Sequence, residues 1–120
     1  MPQKESTYNE AQIAERLGAL SGWYFEDGWI RRVYKTDGWP TTLMLVNAIG
    51  YLAEAAYHHP DLTVTWARVT VNLMTHSAGG ITDKDFELAR RIEDAVLWRP
   101  PQGGALEGTP NKFVRSGDPR

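Results

Sequence analysis

The sequence predicts an α+β domain in which helices pack against one face of an antiparallel sheet. Two observations lead to this fold class. Helical and alternating apolar patterns follow each other in the order α-β-β-α-β-β-α, and the strands of each pair are joined by very short connections. The length of 120 residues is that of one domain rather than two.

The first helix and the first pair of strands come early in the chain. Residues 8–19 carry apolar side chains at helical spacing, which predicts a short amphipathic helix. Residues 23–34 are rich in aromatic and β-branched side chains on both sides of Asp27-Gly28. An Asp-Gly pair between two such runs is a strong hairpin signal, so two antiparallel strands are predicted here.

A long apolar helix is predicted for residues 39–57. Pro40 is compatible with a first helical turn, and Pro60 ends the segment because it disfavours a helical residue before it. Apolar side chains occur on nearly every side, at Leu43, Met44, Leu45, Val46, Ile49, Tyr51 and Leu52. A helix that is apolar all round is buried all round, and one small sheet cannot cover it. We therefore expect a second subunit to cover part of this helix.

The second pair of strands and the last helix follow. Residues 62–73 alternate between apolar and polar side chains and form either one bent strand or a tight pair. Residues 82–98 place apolar side chains on one face, which predicts a helix.

The chain is predicted to divide into a domain of residues 1–98 and a tail of residues 99–120. The tail contains four prolines and four glycines, which is typical of an irregular segment. Phe113 and Val114 are its predicted anchors on the domain.

The composition excludes several classes of protein. A net charge of −2, from 13 basic and 15 acidic residues, lacks the basic excess by which proteins bind nucleic acid. The chain has no cysteine, which excludes disulfides, thiolate metal sites and cysteine nucleophiles. Its longest apolar stretch is too short for a membrane span, and no signal peptide is visible. We expect a cytoplasmic protein that binds neither nucleic acid nor membrane.

Three histidines suggest acid–base chemistry. His58 and His59 are adjacent at the end of the long predicted helix, and His76 lies at the end of a predicted strand. Clustered histidines suit proton transfer because the unperturbed pKa of histidine lies near neutrality. Glu54 lies four residues before His58 on the same helix face, where its carboxylate could orient the imidazole. Considered singly, each histidine is more often a surface residue or a helix cap than a catalyst.

Two structural alternatives concern the same region. Adjacent histidines have poor chelating spacing compared with histidines four residues apart on a helix, so metal binding is a minor alternative and no metal ligand is predicted. Asp85 follows Thr82 by three residues, which is the spacing of a capping box at the start of the last helix.

The residues around the histidines also form a motif with fixed spacing. It consists of Glu54, His58, His59, Pro60, Trp66, His76 and Asp85. An acidic residue precedes His-His-Pro, an aromatic residue follows six positions after the proline, and a histidine and an aspartate follow ten and nine positions later. In this motif the chain resembles the pterin-4a-carbinolamine dehydratases, from about residue 20 to residue 95. A match of this length is far more specific than a single histidine.

The resemblance implies a four-stranded antiparallel sheet with three helices on one face, assembled into a homodimer or tetramer. It implies dehydration of 4a-hydroxytetrahydropterin to quinonoid dihydropterin, which recycles tetrahydropterin, without a metal or organic cofactor. The implied catalytic residues are His58, His59 and His76, with His58 and His76 as acids on opposite faces of the pterin and His59 orienting it. The implied substrate-binding residues are Glu54, Tyr57, Pro60, Asp61, Trp66, Thr75 and Asp85. We expect the three imidazoles to line one cleft.

Tyr57, Trp66 and the tail depart from the family pattern. The residue before His-His is often small and polar in the family, and the aromatic residue is often tyrosine. These departures keep a second function open, because one group similar to pterin dehydratases assists assembly of RuBisCO in carboxysome-bearing bacteria. The expected partners are therefore a pterin substrate or, in the alternative, RuBisCO subunits.

Overall fold

The part of the chain that the structure describes forms three α-helices and a four-stranded antiparallel sheet in the predicted order, α-β-β-α-β-β-α, so the predicted α+β fold class is confirmed. The computed structural model describes residues 6–110 and 113–115. A fifth, two-residue strand from the tail extends the sheet. The elements are α1 (Glu10–Leu17), β1 (Trp23–Glu26), β2 (Trp29–Thr36), α2 (Trp39–Ala56), β3 (Asp61–Thr65), β4 (Arg68–Leu73), α3 (Asp83–Val96) and β5 (Val114–Arg115).

The sheet has the strand order β1-β2-β4-β3, and its neighbouring strands are antiparallel. Asp27 and Gly28 join β1 to β2 with positive φ angles of 51° and 86°, as the predicted hairpin turn requires. Only Trp66 and Ala67 separate β3 from β4. The second predicted pair is therefore a tight antiparallel pair and not one bent strand.

The helices cover one face of the sheet. Val69, Val71 and Leu73 alternate along β4 and are fully buried, whereas Arg68 points to the open face and is exposed. The core continues through β2, the loop before α3 and the helices, with Ile30, Tyr34, Ile49, Ile81, Ala89 and Ile92 fully buried. The alternating patterns of the sequence thus correspond to one buried face.

Helix α2 is buried on one side only within the single chain, as expected if one small sheet cannot cover all of it, and its cover by a second subunit stays a prediction. Its buried residues are Thr41, Thr42, Leu45, Ile49 and Ala53. Leu43, Met44 and Tyr51 are exposed, because the sheet and α3 contact α2 from the other side. In the ranges that the structure describes, no helix is both long and apolar enough to cross a membrane.

A charge pair between the buried Arg32 and the partly buried Glu93 links β2 to the C-terminal half of α3. Arg32 donates from Nε to Glu93 Oε1 at 3.0 Å and from Nη2 to Oε2 at 3.2 Å. Tyr34 and Trp23 donate to Oε1 at 2.6 and 3.0 Å. Gly22 leaves room for the guanidinium group, because a Cβ at this position would lie 2.6 Å from Arg32 Cζ. Both carboxylate oxygens of Glu93 are therefore satisfied.

These contacts determine the ionisation of two groups. Burial raises the pKa of Glu93, but hydrogen bonds from Arg32 and Tyr34 and the charge of Arg32 outweigh burial and lower this pKa below its ordinary value. Burial, followed by the neighbouring Glu93 carboxylate, raises the pKa of Tyr34 well above its ordinary value. At neutral pH the network therefore contains a carboxylate, a guanidinium group and a neutral phenol.

The tail returns to the sheet, and its predicted anchors are confirmed. Val114 is buried in the core, and β5 pairs with the end of β2. The backbone N–H of Asp37 donates to the Phe113 carbonyl at 3.1 Å. The Arg99 guanidinium group lies 4.7 Å from the centroid of the Phe113 ring, within the range of a cation–π contact.

We expect Glu93→Gln to lower the free energy of unfolding by about 3–5 kcal/mol, the usual cost of removing one member of a buried ion pair. The amide keeps the shape of the side chain but leaves the Arg32 charge buried without a counter-charge. Denaturant-induced unfolding at neutral pH measures the loss. Glu87→Gln, at an exposed position of the same helix, is the control and should change stability by less than about 0.5 kcal/mol. Equal losses in the two variants would contradict the prediction.

The lowered pKa of Glu93 also predicts a pH dependence. A carboxyl group with a depressed pKa in the folded state stabilises the fold above its ordinary pKa, which is about 4.3 for glutamate. This contribution is lost as the pH falls through the lower, folded-state pKa. The difference in unfolding free energy between the parent and Glu93→Gln should therefore be constant near neutrality and shrink below about pH 4. A difference that persists in strong acid would contradict this assignment.

We expect the exposed side of α2 to be covered by a second copy of the chain. Burying an apolar side chain such as Leu43 or Met44 is worth roughly 1.5–3 kcal/mol, and two-fold dimers are the commonest oligomers. Sedimentation equilibrium at micromolar concentration should give at least twice the mass of one chain. Met44→Glu should lower that mass toward one chain without loss of secondary structure. A parent protein that sediments as one chain would contradict the expectation.

Candidate active site

The connection between α2 and β3 carries Tyr57, His58 and His59. Helix α2 ends one residue before Tyr57, which takes a left-handed conformation with φ 52° and ψ 44°. The N–H of Tyr57 donates to the Glu54 carbonyl at 3.1 Å. The N–H of His58 donates to the Ala53 carbonyl at 3.1 Å, which completes a Schellman-type helix end. The chain therefore turns sharply at Tyr57, and the two histidines lie in the connection beyond the helix.

His58 is held by Asp85, a carboxylate at the start of α3. His58 Nε2 and Asp85 Oδ1 are 2.7 Å apart. Asp85 Oδ2 accepts from the Thr75 hydroxyl at 2.8 Å and from the Thr82 backbone N–H at 2.9 Å. A carboxylate has only acceptor positions, so His58 Nε2 donates and Nδ1 is the ring nitrogen left for a ligand.

Asp85 and Thr75 point into the protein. Asp85 is 0% exposed and Thr75 is 2% exposed. The capping box predicted from Thr82 and Asp85 is present and fixes the Asp85 side chain at the helix start. Both residues were predicted to bind substrate, but their burial suits them to positioning His58 rather than to contact with a ligand.

Glu54 contacts His59 rather than His58. Glu54 Oε1 lies 2.8 Å from His59 Nε2. The spacing rule placed Glu54 and His58 on one helix face, but α2 ends before His58, so the rule does not reach it. Both members of the pair are exposed, and exposed pairs contribute little to stability. The consequence of the contact is the orientation of the His59 ring.

His76 begins a single turn of 3-10 helix, His76–Ala78, in the loop between β4 and α3. Thr75 and Gly80 form a bridge across this loop, with the Thr75 N–H donating to the Gly80 carbonyl at 2.9 Å. The exposed His76 ring meets the Trp29 ring edge-on, with centroids 5.6 Å apart. His76 is thus next in the chain to Thr75, which bonds to the same carboxylate as His58.

A large groove lies between α1, the end of α2 and α3. Its volume is about 1350 Å³, and Tyr57 and His58 are among its lining residues. Its apolar lining includes Leu20, Leu52, Ala55, Ala56, Phe86 and Leu88. Charged side chains from α1 and α3 complete the lining, including Arg16 and Arg91.

A second groove of about 480 Å³ lies at the start of β3. Its lining residues are Trp29, Arg31, Pro60, Asp61, Leu62, Thr63 and Asn72. Arg31 Nη1 donates to Asn72 Oδ1 at 2.9 Å, and Asn72 Nδ2 donates to the Asp61 carbonyl at 3.1 Å. Pro60 and Asp61, both predicted to bind substrate, therefore belong to this groove, next to the Trp29–His76 contact.

The expectation that all three imidazoles line one cleft stays a prediction. His58 lines the large groove, His76 contacts Trp29 of the second groove, and His59 lines neither of the two. Within residues 6–110 and 113–115, no three His, Asp or Glu side chains are grouped closely enough to hold a metal ion.

The structure does not bring Trp66 to the histidines within one chain. The Trp66 ring packs on Gly38, where a Cβ would lie 3.3 Å from the indole. Gly38 precedes α2 and His58 follows it, and the 18 residues of this helix span about 27 Å. Trp66 lies at the far end because β3 runs back along α2. Its predicted role in substrate binding therefore has no support from this geometry.

Trp29, Arg31 and Asn72 were not predicted as site residues. Asn72 stands opposite Arg31 across β2 and β4 and opposite Asp61 across β3 and β4, so one row of the open face joins them. The aromatic run after Asp27-Gly28 contains Trp29 but does not show which strand lies beside it. Only the pairing of β2 with β4 shows which residues share this row, and it brings together Arg31 and Asn72, which are 41 positions apart in the sequence.

Comparisons with known proteins agree with this fold. The sequence model of the family described as pterin 4 alpha carbinolamine dehydratase matches residues 6–95. A relative from Roseiflexus castenholzii, provisionally named pterin-4-alpha-carbinolamine dehydratase, is 44% identical over 88 residues, which are 73% of this chain and 95% of that protein. A relative from Aquifex aeolicus with the same provisional name is 46% identical over 88 residues, which are 73% of this chain and 89% of that protein.

A crystal structure provides the corresponding comparison in three dimensions. The transcriptional coactivator/pterin dehydratase from Brucella melitensis is similar to this chain with a TM-score of 0.71 and 32% sequence identity. The similarity covers 76% of this chain and 98% of that one. From its sequence match, its relatives and its fold, the chain belongs to the pterin-4-alpha-carbinolamine dehydratase family.

Proposed function

We propose that the protein is an acid–base enzyme that dehydrates 4a-hydroxytetrahydropterin to quinonoid dihydropterin and so recycles tetrahydropterin. The observation that supports this most strongly is the Asp85 carboxylate, which bonds both to His58 and to Thr75, the neighbour of His76. The His58 ring and the backbone next to His76 are thereby fixed by one carboxylate. Membership of the family supports the same reaction.

The reaction removes one water from the pterin. The bond between C4a and the hydroxyl oxygen breaks, and the oxygen takes up a proton and leaves as water. N5 loses its proton, and the electron pair of that N–H bond forms the double bond between C4a and N5. The reaction needs an acid beside the hydroxyl and a base beside N5, and such help typically contributes about 10²–10⁴-fold.

His58 and His76 are the proposed acid–base pair. His58 faces the large groove, and His76 lies beside Trp29 of the second groove. The 4a-hydroxyl can lie on either face of the pterin ring, and histidines on two sides would serve both stereoisomers. His59, which contacts Glu54 at 2.8 Å, is proposed to bind and orient the ring.

A role in RuBisCO assembly stays a prediction that no contact in the described residues favours. The tail helped to keep this alternative open. It packs on the sheet of its own chain through Val114 and β5, so its order does not argue for a partner.

The purified protein is expected to accelerate the dehydration of 4a-hydroxytetrahydropterin, followed by absorbance as quinonoid dihydropterin forms. His58→Gln and His76→Gln should each lower kcat by about 10²-fold for one of the two stereoisomers, because each removes one acid. His59→Gln should instead raise KM more than it lowers kcat. A folded parent protein that gives no rate above the spontaneous reaction would contradict the proposed function.

Asp85→Asn should lower kcat by about 10- to 100-fold with little change in KM, a part of the gain that acid–base catalysis provides. The asparagine oxygen takes the hydrogen bond from the Thr82 N–H, so the NH₂ group faces His58. This group donates instead of accepting, so it holds the imidazole in the tautomer that carries its proton on Nδ1, the nitrogen needed for the ligand. The assay is run well below the unfolding temperature, so that the loss of the capping box does not remove folded protein. Asp37→Asn, at an exposed position before α2, is the matched control. An unchanged kcat in Asp85→Asn would show that Asp85 serves the fold alone.

A further inference from the structure

Tyr57 has a backbone conformation that its residue type does not favour. Within the described ranges, Asp27 and Tyr57 are the non-glycine residues with positive φ. Aspartate visits the left-handed region readily because its short side chain bonds locally, whereas a bulky residue there is a genuine outlier. Glycine or asparagine is the usual residue at such a helix end. Glycine or asparagine would therefore adopt this backbone conformation with less strain than tyrosine.

Packing does not explain the tyrosine either. Tyr57 is 86% exposed, so its ring contributes little to the core. Strain of this kind clusters at active sites and ligand clamps, where the side chain has a use that the fold does not need. The ring is therefore a candidate for contact with a ligand.

The surroundings of the Tyr57 ring indicate the kind of ligand that it would contact. Tyr57 lines the large groove together with His58, and its ring centroid lies 6.0 Å from that of His59, edge to face. Leu52, Ala55 and Ala56 extend the same wall as an apolar surface. A flat aromatic ligand that reaches the histidines from this groove would meet the Tyr57 ring.

We infer that Tyr57 binds the substrate by stacking its ring on the bicyclic ring of the pterin in the large groove. The inference rests on the proposed function, because it takes the ligand to be a pterin. Stacking of a nucleobase, a ring system of similar size, on an aromatic side chain is sensitive to loss of that side chain. The left-handed backbone at Tyr57 then serves to present the ring to the ligand beside His58 and His59.

Three variants separate stacking from folding. Tyr57→Phe keeps the ring, Tyr57→Leu keeps the bulk and the backbone strain without a ring, and Tyr57→Asn removes both ring and strain. The probe is a stable oxidised pterin, whose affinity is measured by quenching of its fluorescence. Tyr57→Phe should bind like the parent, and Tyr57→Leu and Tyr57→Asn about 5- to 100-fold more weakly. Tyr57→Asn should nevertheless unfold at a temperature equal to that of the parent or a few degrees higher.

If Tyr57 had only a structural role, Tyr57→Asn would not combine weaker pterin binding with an undiminished unfolding temperature. Equal affinity in Tyr57→Leu and the parent would overturn the inference, as would a parent that does not bind the oxidised pterin. Neither result decides the proposed reaction, which the turnover assay tests with another substrate and another readout. A parent that binds the pterin through Tyr57 but gives no turnover would contradict the proposed reaction and leave the inference standing.

Discussion

The buried Asp85 carboxylate joins three parts of the chain that are separate in sequence. It accepts hydrogen bonds from His58 after α2, from Thr75 after β4 and from Thr82 at the start of α3. Burying a charge is costly unless donors satisfy it, so the three donors and the carboxylate stabilise each other's positions. The geometry of the candidate site therefore follows from a requirement of the fold, and His58 does not depend on a ligand for its orientation.

Helix α3 carries a second carboxylate, the partly buried Glu93, which bonds to the sheet through Arg32, Tyr34 and Trp23. Asp85 and Glu93 lie about 12 Å apart along the helix axis and bond to different partners. Contributions from sites at this distance without shared partners usually add. The attachment of α3 to the sheet and the arrangement of the site can therefore change independently, although one helix carries both.

Local signals predicted most of the fold, because a hairpin, a capping box or an alternating strand depends on neighbouring residues. Asp27-Gly28 and the Thr82–Asp85 box are both present as predicted. The partners of the buried carboxylates could not be predicted in this way. His58 lies 27 positions from Asp85, and Arg32 lies 61 positions from Glu93. Strand register and helix packing decide such contacts, and the apolar pattern of one segment does not specify them.

The motif that identified the family also mixes residues with different physical reasons for their spacing. His58 is fixed relative to Asp85 by a hydrogen bond in the site, whereas Trp66 packs on Gly38 at the other end of α2. Gly38 has a φ of 150° and no Cβ, so the indole can lie directly on its backbone. The Trp66 ring is still 67% exposed, so this contact places the ring at the turn but buries only part of it. Spacing alone cannot distinguish a residue that contacts substrate from one that closes the fold, and the distance along α2 makes that distinction.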